Sequence, residues 1–378
     1  MDRTINIFLH LPEARYLQEI AEGVIEFSLA RRNWSIFPFT EGTGGKEWHY
    51  THNWQGVITS APNDQIIVAL RERGLPIVGV EHEVEFGSPL VRGHDRAIGA
   101  LACEHLRQLG YRRFTFYGGG KSTSERERRG GFCDAVTEAG LEYVDILKNG
   151  SHEVRQSSEF LLEWLRALPK PIAIFCHYTL GARRLVISAR DCGVAVPEEV
   201  SILGLENDDL LCRANRPSIS SVDQGLHRIG HEAARILDEW LAGKQPPTEP
   251  VLVEPGGVIQ RRTTSFYAIE DPLVSRAMRY IWERACEGIQ VGEVVEHVNC
   301  SRRGLEVRFK KSIGRSIGSE IGRARISHAR TLLTETKLSL AEIAQACGYQ
   351  WQAQFTKVFR QIAGETPSAY RKRLLSSS

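Results

Sequence analysis

The stretch SLAEIAQACGYQWQAQFTKVFR, Ser339–Arg360, decides how the chain is read. Ser339 and Glu342 stand at capping-box spacing: the Ser oxygen can accept from the N–H three residues on while Glu reaches back, so a helix starts at Leu340. Leu340, Ile343 and Ala344 give it a buried face, Gly348 ends it, and a second helix follows over Trp351–Ile362 after a tight turn. Phe355 and Phe359, four apart, form the inner side of that helix and read as core rather than as stacking platforms. Its other sides carry Gln350, Gln352, Gln354, Thr356, Lys357 and Arg360. In a helix, short turn and helix of this kind, the second helix can enter the major groove of DNA while the first crosses the backbone.

The same pattern occurs upstream. Val291–His297 and Ser301–Lys311 are helical stretches separated by Val298–Cys300, and the second carries Arg302, Arg303, Glu306, Arg308, Lys310 and Lys311 over an inner side of Leu305 and Phe309. A longer helix, Ile317–Leu333, joins the two units, Val274–Cys286 precedes them, and Thr366-Pro367 starts a last short helix. Arg suits guanine edges, Gln adenine and Glu cytosine. Charge supports a polyanionic partner: residues 272–378 hold 18 Lys/Arg against 9 Asp/Glu, whereas the preceding 271 residues hold 30 against 37. The boundary falls at Asp271-Pro272, an N-cap followed by a proline suited to the first helical position.

Before that boundary the pattern is different. Short apolar runs (Ile5–Leu9, Ile36–Phe39, Val57–Thr59, Ile77–Val80, Phe114–Tyr117, Ile172–Cys176, Ile202–Leu205) alternate with amphipathic stretches such as Leu17–Leu29, Ile66–Arg73, Ile98–Leu109 and Gly131–Ala139. Val251–Val253 and Val258–Arg261 read as closing strands, and residues 265–271 as a linker. Buried parallel strands with helices on both faces, in two successive sets, predict two α/β lobes joined by crossovers around a cleft. The expected domains are residues 1–264 and 272–378.

Composition narrows the class. With 378 residues, 42% apolar and 25% charged, the chain is globular and long enough for two or three domains. No run approaches the roughly 20 apolar residues of a membrane helix, and the start lacks the long apolar core of a secretory signal, so a cytoplasmic protein is expected. Eight cysteines are scattered with no C-x-x-C pair, which favours reduced thiols over a disulfide framework or a zinc site. Gly118-Gly-Gly-Lys121 lacks the frame of a phosphate-binding loop. His49 and His52, near Trp48 and Trp54, form no supported metal site. No Ser/His/Asp or Cys/His constellation is anchored by a motif, so no catalytic residue, metal or cofactor is expected.

Three runs of the basic module, RISHARTLL (Arg325–Leu333), LAEIAQACGY (Leu340–Tyr349) and FTKVFR (Phe355–Arg360) followed by GETPSAYR (Gly364–Arg371), resemble the signature of the AraC/XylS transcriptional regulators. SRRGLEVRFKKSIG (Ser301–Gly314) fits as well. That resemblance implies an all-α domain with two helix-turn-helix units. Position by position, it places Arg302, Arg303 and Glu306 of the first unit, and Gln352, Thr356 and Lys357 of the second, on double-stranded operator DNA. For each charge a solvated helix face is the competing reading.

The front module resembles the periplasmic-binding-protein-like effector domain of the LacI/GalR regulators. The carriers are DRAIGALACEHL (Asp95–Leu106), GYRRFTFY (Gly110–Tyr117), RRGGFCDAV (Arg128–Val136), PEEVSILGLE (Pro197–Glu206) and SSVDQ (Ser220–Gln224). Such a body followed by an AraC-type tail resembles the arrangement of XylR-type xylose operon regulators. The implied protein is a homodimeric activator, contacting RNA polymerase, that binds a small sugar, D-xylose, at Asp95, Arg128, Glu206, Asn207, Gln224 and Tyr16. His10, Arg15, His177 and Tyr178 stand at neighbouring strand ends. Open alternatives are a helix cap for Asp95, a solvated charged run for Arg128, and an exposed acidic cluster with Asp208 and Asp209 for Glu206. Relatives usually carry Asp at the position of Glu206, so a different sugar or metabolite, with either sign of regulation, stays open. Alkyl-transfer repair enzymes with an AraC-type tail need a clustered cysteine zinc site, which the spacing here does not supply.

Overall fold

The computed structural model describes residues 4–11, 17–31, 33–39, 50, 52–81, 87, 89–119, 122–145, 157–265, 269, 271–336 and 338–375, with backbone only at 331, 334, 335 and 372–375. Two compact units divide the chain, Met1–Ser265 and Phe266–Ser378.

In the first unit the apolar runs become two six-stranded sheets. One sheet contains β1 (Ile5–His10), β2 (Trp34–Pro38), β3 (Gly56–Thr59), β4 (Ile77–Val80) and β5 (Leu90–Gly93) in the order 2-1-3-4-5. All these pairs are parallel. The other contains β6 (Arg113–Tyr117), β7 (Glu142–Tyr143), β8 (Ile172–Cys176), β9 (Val200–Leu205) and β10 (Ser220–Asp223) in the equivalent order 7-6-8-9-10. Around them lie α1 (Leu17–Ala30), α2 (Gln65–Glu72), α3 (Asp95–Gln108), α4 (Thr123–Glu138), α5 (Ser158–Ala167), α6 (Thr179–Asp191), α7 (Asp209–Arg213) and α8 (Leu226–Leu241). Helix α8 returns to the first sheet, burying Ile229, Ala233 and Leu237 against Ile7, Leu9 and Ile58. Strand β11 (Val251–Val253) then extends that sheet beside β5, and β12 (Gly257–Ile259) goes back to the second, antiparallel to β10. The polypeptide therefore crosses between the lobes at Gly93–Asp95, at Asp223–Leu226 and at Val253–Gly257.

Three strands escaped the sequence reading. Arg92 interrupts the apolar run of β5, β7 has two residues, and β10 opens on Ser220 and Ser221, whose buried hydroxyls are satisfied by Thr264 Oγ1 (2.7 Å) and the Asn207 N–H (3.0 Å). Helix α4 starts at Thr123, well before the expected Gly131, because Ser122 caps it (Glu125 N to Ser122 Oγ, 3.1 Å) and its first turns are charged.

The second unit contains α9 (Pro272–Arg284), α10 (Val291–Val298), α11 (Arg302–Ile313), α12 (Ile317–Glu335), α13 (Leu340–Ala346), α14 (Gln352–Ala363) and α15 (Pro367–Leu375). Asp271 caps α9 and Ser301 caps α11. At α13 both arms of the capping box form, Ser339 N to Glu342 Oε2 at 2.7 Å and Glu342 N to Ser339 Oγ at 3.3 Å. The long α12 serves two cores: Ile317 and Ile321 pack with Leu305 and Phe309, whereas Ile326, Ala329 and Leu333 pack with Ile343, Phe355 and Phe359. Buried Arg325 stitches them together, donating to the carbonyls of Ala285 (2.8 Å) and Ile289 (3.0 Å) with its guanidinium 5.2 Å from the Tyr349 ring. Ile269, within the expected linker, packs into this unit's core.

Candidate functional site

Helices α3 and α4 meet backbone to backbone. A Cβ on Gly99 would lie 2.1 Å from the Arg128 carbonyl oxygen, and one on Gly131 would lie 2.1 Å from that of Arg96. This approach seats the Arg128 guanidinium between crossovers. Nε donates to Asp95 Oδ1 at 2.5 Å, Nη2 donates to Gln224 Oε1 at 2.8 Å, and Nη1 stands 3.3 Å from His177 Nδ1. Asp95, Arg128 and Gln224 are all nearly inaccessible, at 6%, 6% and 3% exposure. Guanidinium is a donor only, so in this contact His177 Nδ1 accepts, while His177 Nε2 lies 4.0 Å from Glu125 Oε2. The capping alternative for Asp95 fails: α3 begins at Asp95 itself, and its carboxylate is committed to Arg128.

Glu206 stands at the end of β9 with φ 74°, its Oε2 accepting the Thr179 N–H at 3.3 Å. Glu81 holds the corresponding place after β4, with φ 48° and Oε1 accepting the Gly93 N–H at 2.6 Å. Left-handed backbone at non-glycine residues costs energy and concentrates at functional positions. Burial pushes the carboxyls of Glu81, Asp95 and Glu206 up; Arg128 opposes the shift at each. The cluster thus gathers acceptors around one donor fork at a desolvated centre. Such a set complements neutral polyol hydroxyls, which both donate and accept.

Not every expected residue joins this cluster. The Asn207 side chain accepts from Arg261 Nη2 at 2.9 Å, tied to the stretch after β12. Fully buried His10 pairs its Nδ1 with Thr59 Oγ1 at 3.1 Å at the end of β1. Tyr178 is the N-cap residue of α6. Tyr16, Arg15, His49, Trp48 and Lys121 lie outside the described residues; His52 packs on Trp54, ring centroids 4.2 Å apart. Sequence reasoning missed Glu81, although it follows a strand as Glu206 does, and Glu125, 5% exposed and three residues before Arg128 on one helical face.

In the second unit, Leu305, Phe309, Phe355 and Phe359 are fully buried, as their spacing predicted. Arg303, Gln352 and Lys357 are exposed, and Thr356 is half-buried. Arg302 and Glu306 pair across one turn of α11 at 2.9 Å, while Arg308 turns back to Asp271 Oδ2 at 2.8 Å. Val307, 63% exposed, shares the outward face of Arg303 and was not singled out from sequence. Along α14, Gln352, Thr356, Lys357 and Arg360 line one groove.

Two family models match the chain, a periplasmic binding protein-like domain over residues 103–264 and a helix-turn-helix domain over residues 294–373. The xylose operon regulatory protein of Escherichia coli K12 is 34% identical over 370 residues, 94% of each chain. The chain belongs to the xylose operon regulatory protein family. Its Haemophilus influenzae relative is 30% identical over 369 residues, 94% of this chain and 95% of that one. The solved structure of the xylose-binding transcription activator XylR matches with a TM-score of 0.72 and 31% identity, covering 98% of both chains. A cellobiose complex of the regulator CelR, at 22% identity and TM-score 0.53, shares the fold alone. As a member of this regulator family, the chain is a transcriptional regulator with a periplasmic-binding-protein-like α/β domain followed by an all-α helix-turn-helix domain. Among the described residues, no helix is long and apolar enough to cross a membrane.

Proposed function

We propose that this regulator is a D-xylose-dependent, sequence-specific activator of pentose catabolism genes, working in the cytoplasm as a non-catalytic homodimer that contacts RNA polymerase. The domains are residues 1–264 for the sugar and 272–378 for DNA, joined by 265–271. The observation that carries this reading is the desolvated Arg128 hub, which holds Asp95 and Gln224 from two different crossovers and whose charge is felt at Glu81 and Glu206. A sugar seated there exchanges hydrogen bonds with groups that set how the lobes are joined. The family resemblance adds Tyr16 and Asn207 to the sugar-binding set. The ligand shifts the population only by its preference for one lobe arrangement; a hundredfold preference is worth about 2.7 kcal/mol. Arg302, Arg303, Glu306, Gln352, Thr356 and Lys357 form the operator-facing set. The extra methylene of Glu206 favours a second reading, a differently shaped sugar in the same pocket. Calorimetric titration of the full chain with D-xylose, L-arabinose, D-ribose and D-glucose separates the two: saturable heat with D-xylose alone supports the first, and no heat from any sugar overturns both.

Sugar affinity is expected to fall on acidification, beginning above the ordinary carboxylate range. Hydroxyl donors favour ionised carboxylates, and those of Glu81, Asp95 and Glu206 protonate early because burial has raised them. Their effect on folding has the opposite sign. A carboxyl raised in the folded state contributes stability that is fully present below its unfolded pKa and is lost as pH rises through its folded pKa. In folding these carboxyls are opposed over the same range by His105, which burial pushes down to about 4; calorimetry therefore checks the binding arm, and a pH-independent affinity would contradict the role of the carboxylates.

Replacing Lys357 or Arg303 with Ala should weaken operator binding and reduce the magnitude of the salt slope by about one per lost phosphate contact, with sugar affinity unchanged. A parallel loss of sugar affinity would refute the division of labour between the units.

A further inference from the structure

We infer that Trp351 reads a thymine methyl in the operator, an inference that rests on the proposed DNA-facing role of α14. Trp351 is 70% exposed, the most solvent-accessible large aromatic side chain among the described residues. It occupies the N-cap of α14 with extended backbone (φ −128°, ψ 131°) and makes no side-chain cap bond. Helices α9, α11, α12 and α13 of the same unit are capped by Asp271, Ser301, Ser316 and Ser339. At Trp351 the chain forgoes the capping oxygen that stabilises a helix start and holds an indole in water instead. Packing does not account for this choice: Tyr349 and Phe355 on either side enter the core, and Trp351 does not. The adjoining groove presents Gln352, Thr356, Lys357 and Arg360, side chains that pair with polar base edges and phosphates. The C5-methyl of thymine is the major-groove feature that takes an apolar partner, and the N-terminal end of a recognition helix is where base edges are met.

The test uses the full chain and the duplex it selects from a randomised pool. Trp351→Ser should bind the selected duplex about tenfold more weakly while leaving affinity for a shuffled duplex of equal length nearly unchanged. Its melting temperature should hold or rise, because serine restores the cap. In the wild-type chain, replacing thymines one at a time with deoxyuridine, which removes only the methyl, should weaken binding severalfold at one position. In Trp351→Ser that penalty should vanish. Wild-type affinity in Trp351→Ser, an equal loss on both duplexes, or no deoxyuridine penalty that depends on residue 351 would each overturn the inference. If the wild-type chain selects no duplex at all, the DNA-facing reading of α14 falls, and this inference with it.

Discussion

Replacing Arg128 with methionine should abolish the sugar response and destabilise the first unit by about 3–5 kcal/mol, the usual cost of removing one partner of a buried ion pair. Methionine fills much of the volume but leaves Asp95 and Gln224, both nearly inaccessible, without their donor. Asp95, already pushed up by burial, would rise further without the guanidinium and take up a proton. The destabilisation should consequently shrink on acidification. Urea unfolding with and without D-xylose reads both effects. Wild-type stability with an intact sugar-dependent shift would show that the cleft is organised around some other residue.

Gly99→Ala tests how Arg128 is positioned. The added Cβ would meet the Arg128 carbonyl oxygen at 2.1 Å and the Phe132 nitrogen at 2.6 Å, both backbone atoms that cannot rotate away. Helices α3 and α4 must separate, at a cost of about 1–3 kcal/mol or more, because overpacking forces backbone shifts. The shift also draws Arg128 from Asp95, so sugar affinity should fall with stability. Gly292→Ala in α10 is the control, since its Cβ enters open space and alanine favours helix by up to about 1 kcal/mol. If both variants behave alike, the helix contact does not position the site.

Much of this was legible from position. Asp95, Glu206 and Gln224 follow parallel strands at their carboxyl ends, where loops of an α/β sheet gather ligands. The equivalent strand orders of the two sheets put Glu81 after β4 where Glu206 follows β9. Glu81 was missed because it opens the polar run Glu81-His-Glu-Val-Glu85, which reads as surface. Arg128 and Glu125 sit in another charged run, and only the helical period of α4 separates the residues that turn inward from Arg126 and Glu127. The contact at Gly99 and Gly131 was invisible, because a glycine in a helical stretch does not reveal which backbone approaches it. In the second unit, caps and four-residue aromatic spacings are local signals, and the observed helices follow them closely. Asn207 shows the reverse: its place beside Glu206 suggested the cleft, while its side chain is engaged by an arginine 54 residues away.

A sugar held at Arg128 should control how firmly the helical unit grips a duplex. The affinity of the full chain for its selected duplex, at one fixed salt concentration with and without saturating D-xylose, measures that control. Binding should be tighter with the sugar, by up to about a hundredfold, and Arg128→Met should lose the difference. Equal affinity with and without sugar, together with unchanged DNA geometry, would show that the sugar exerts no such control.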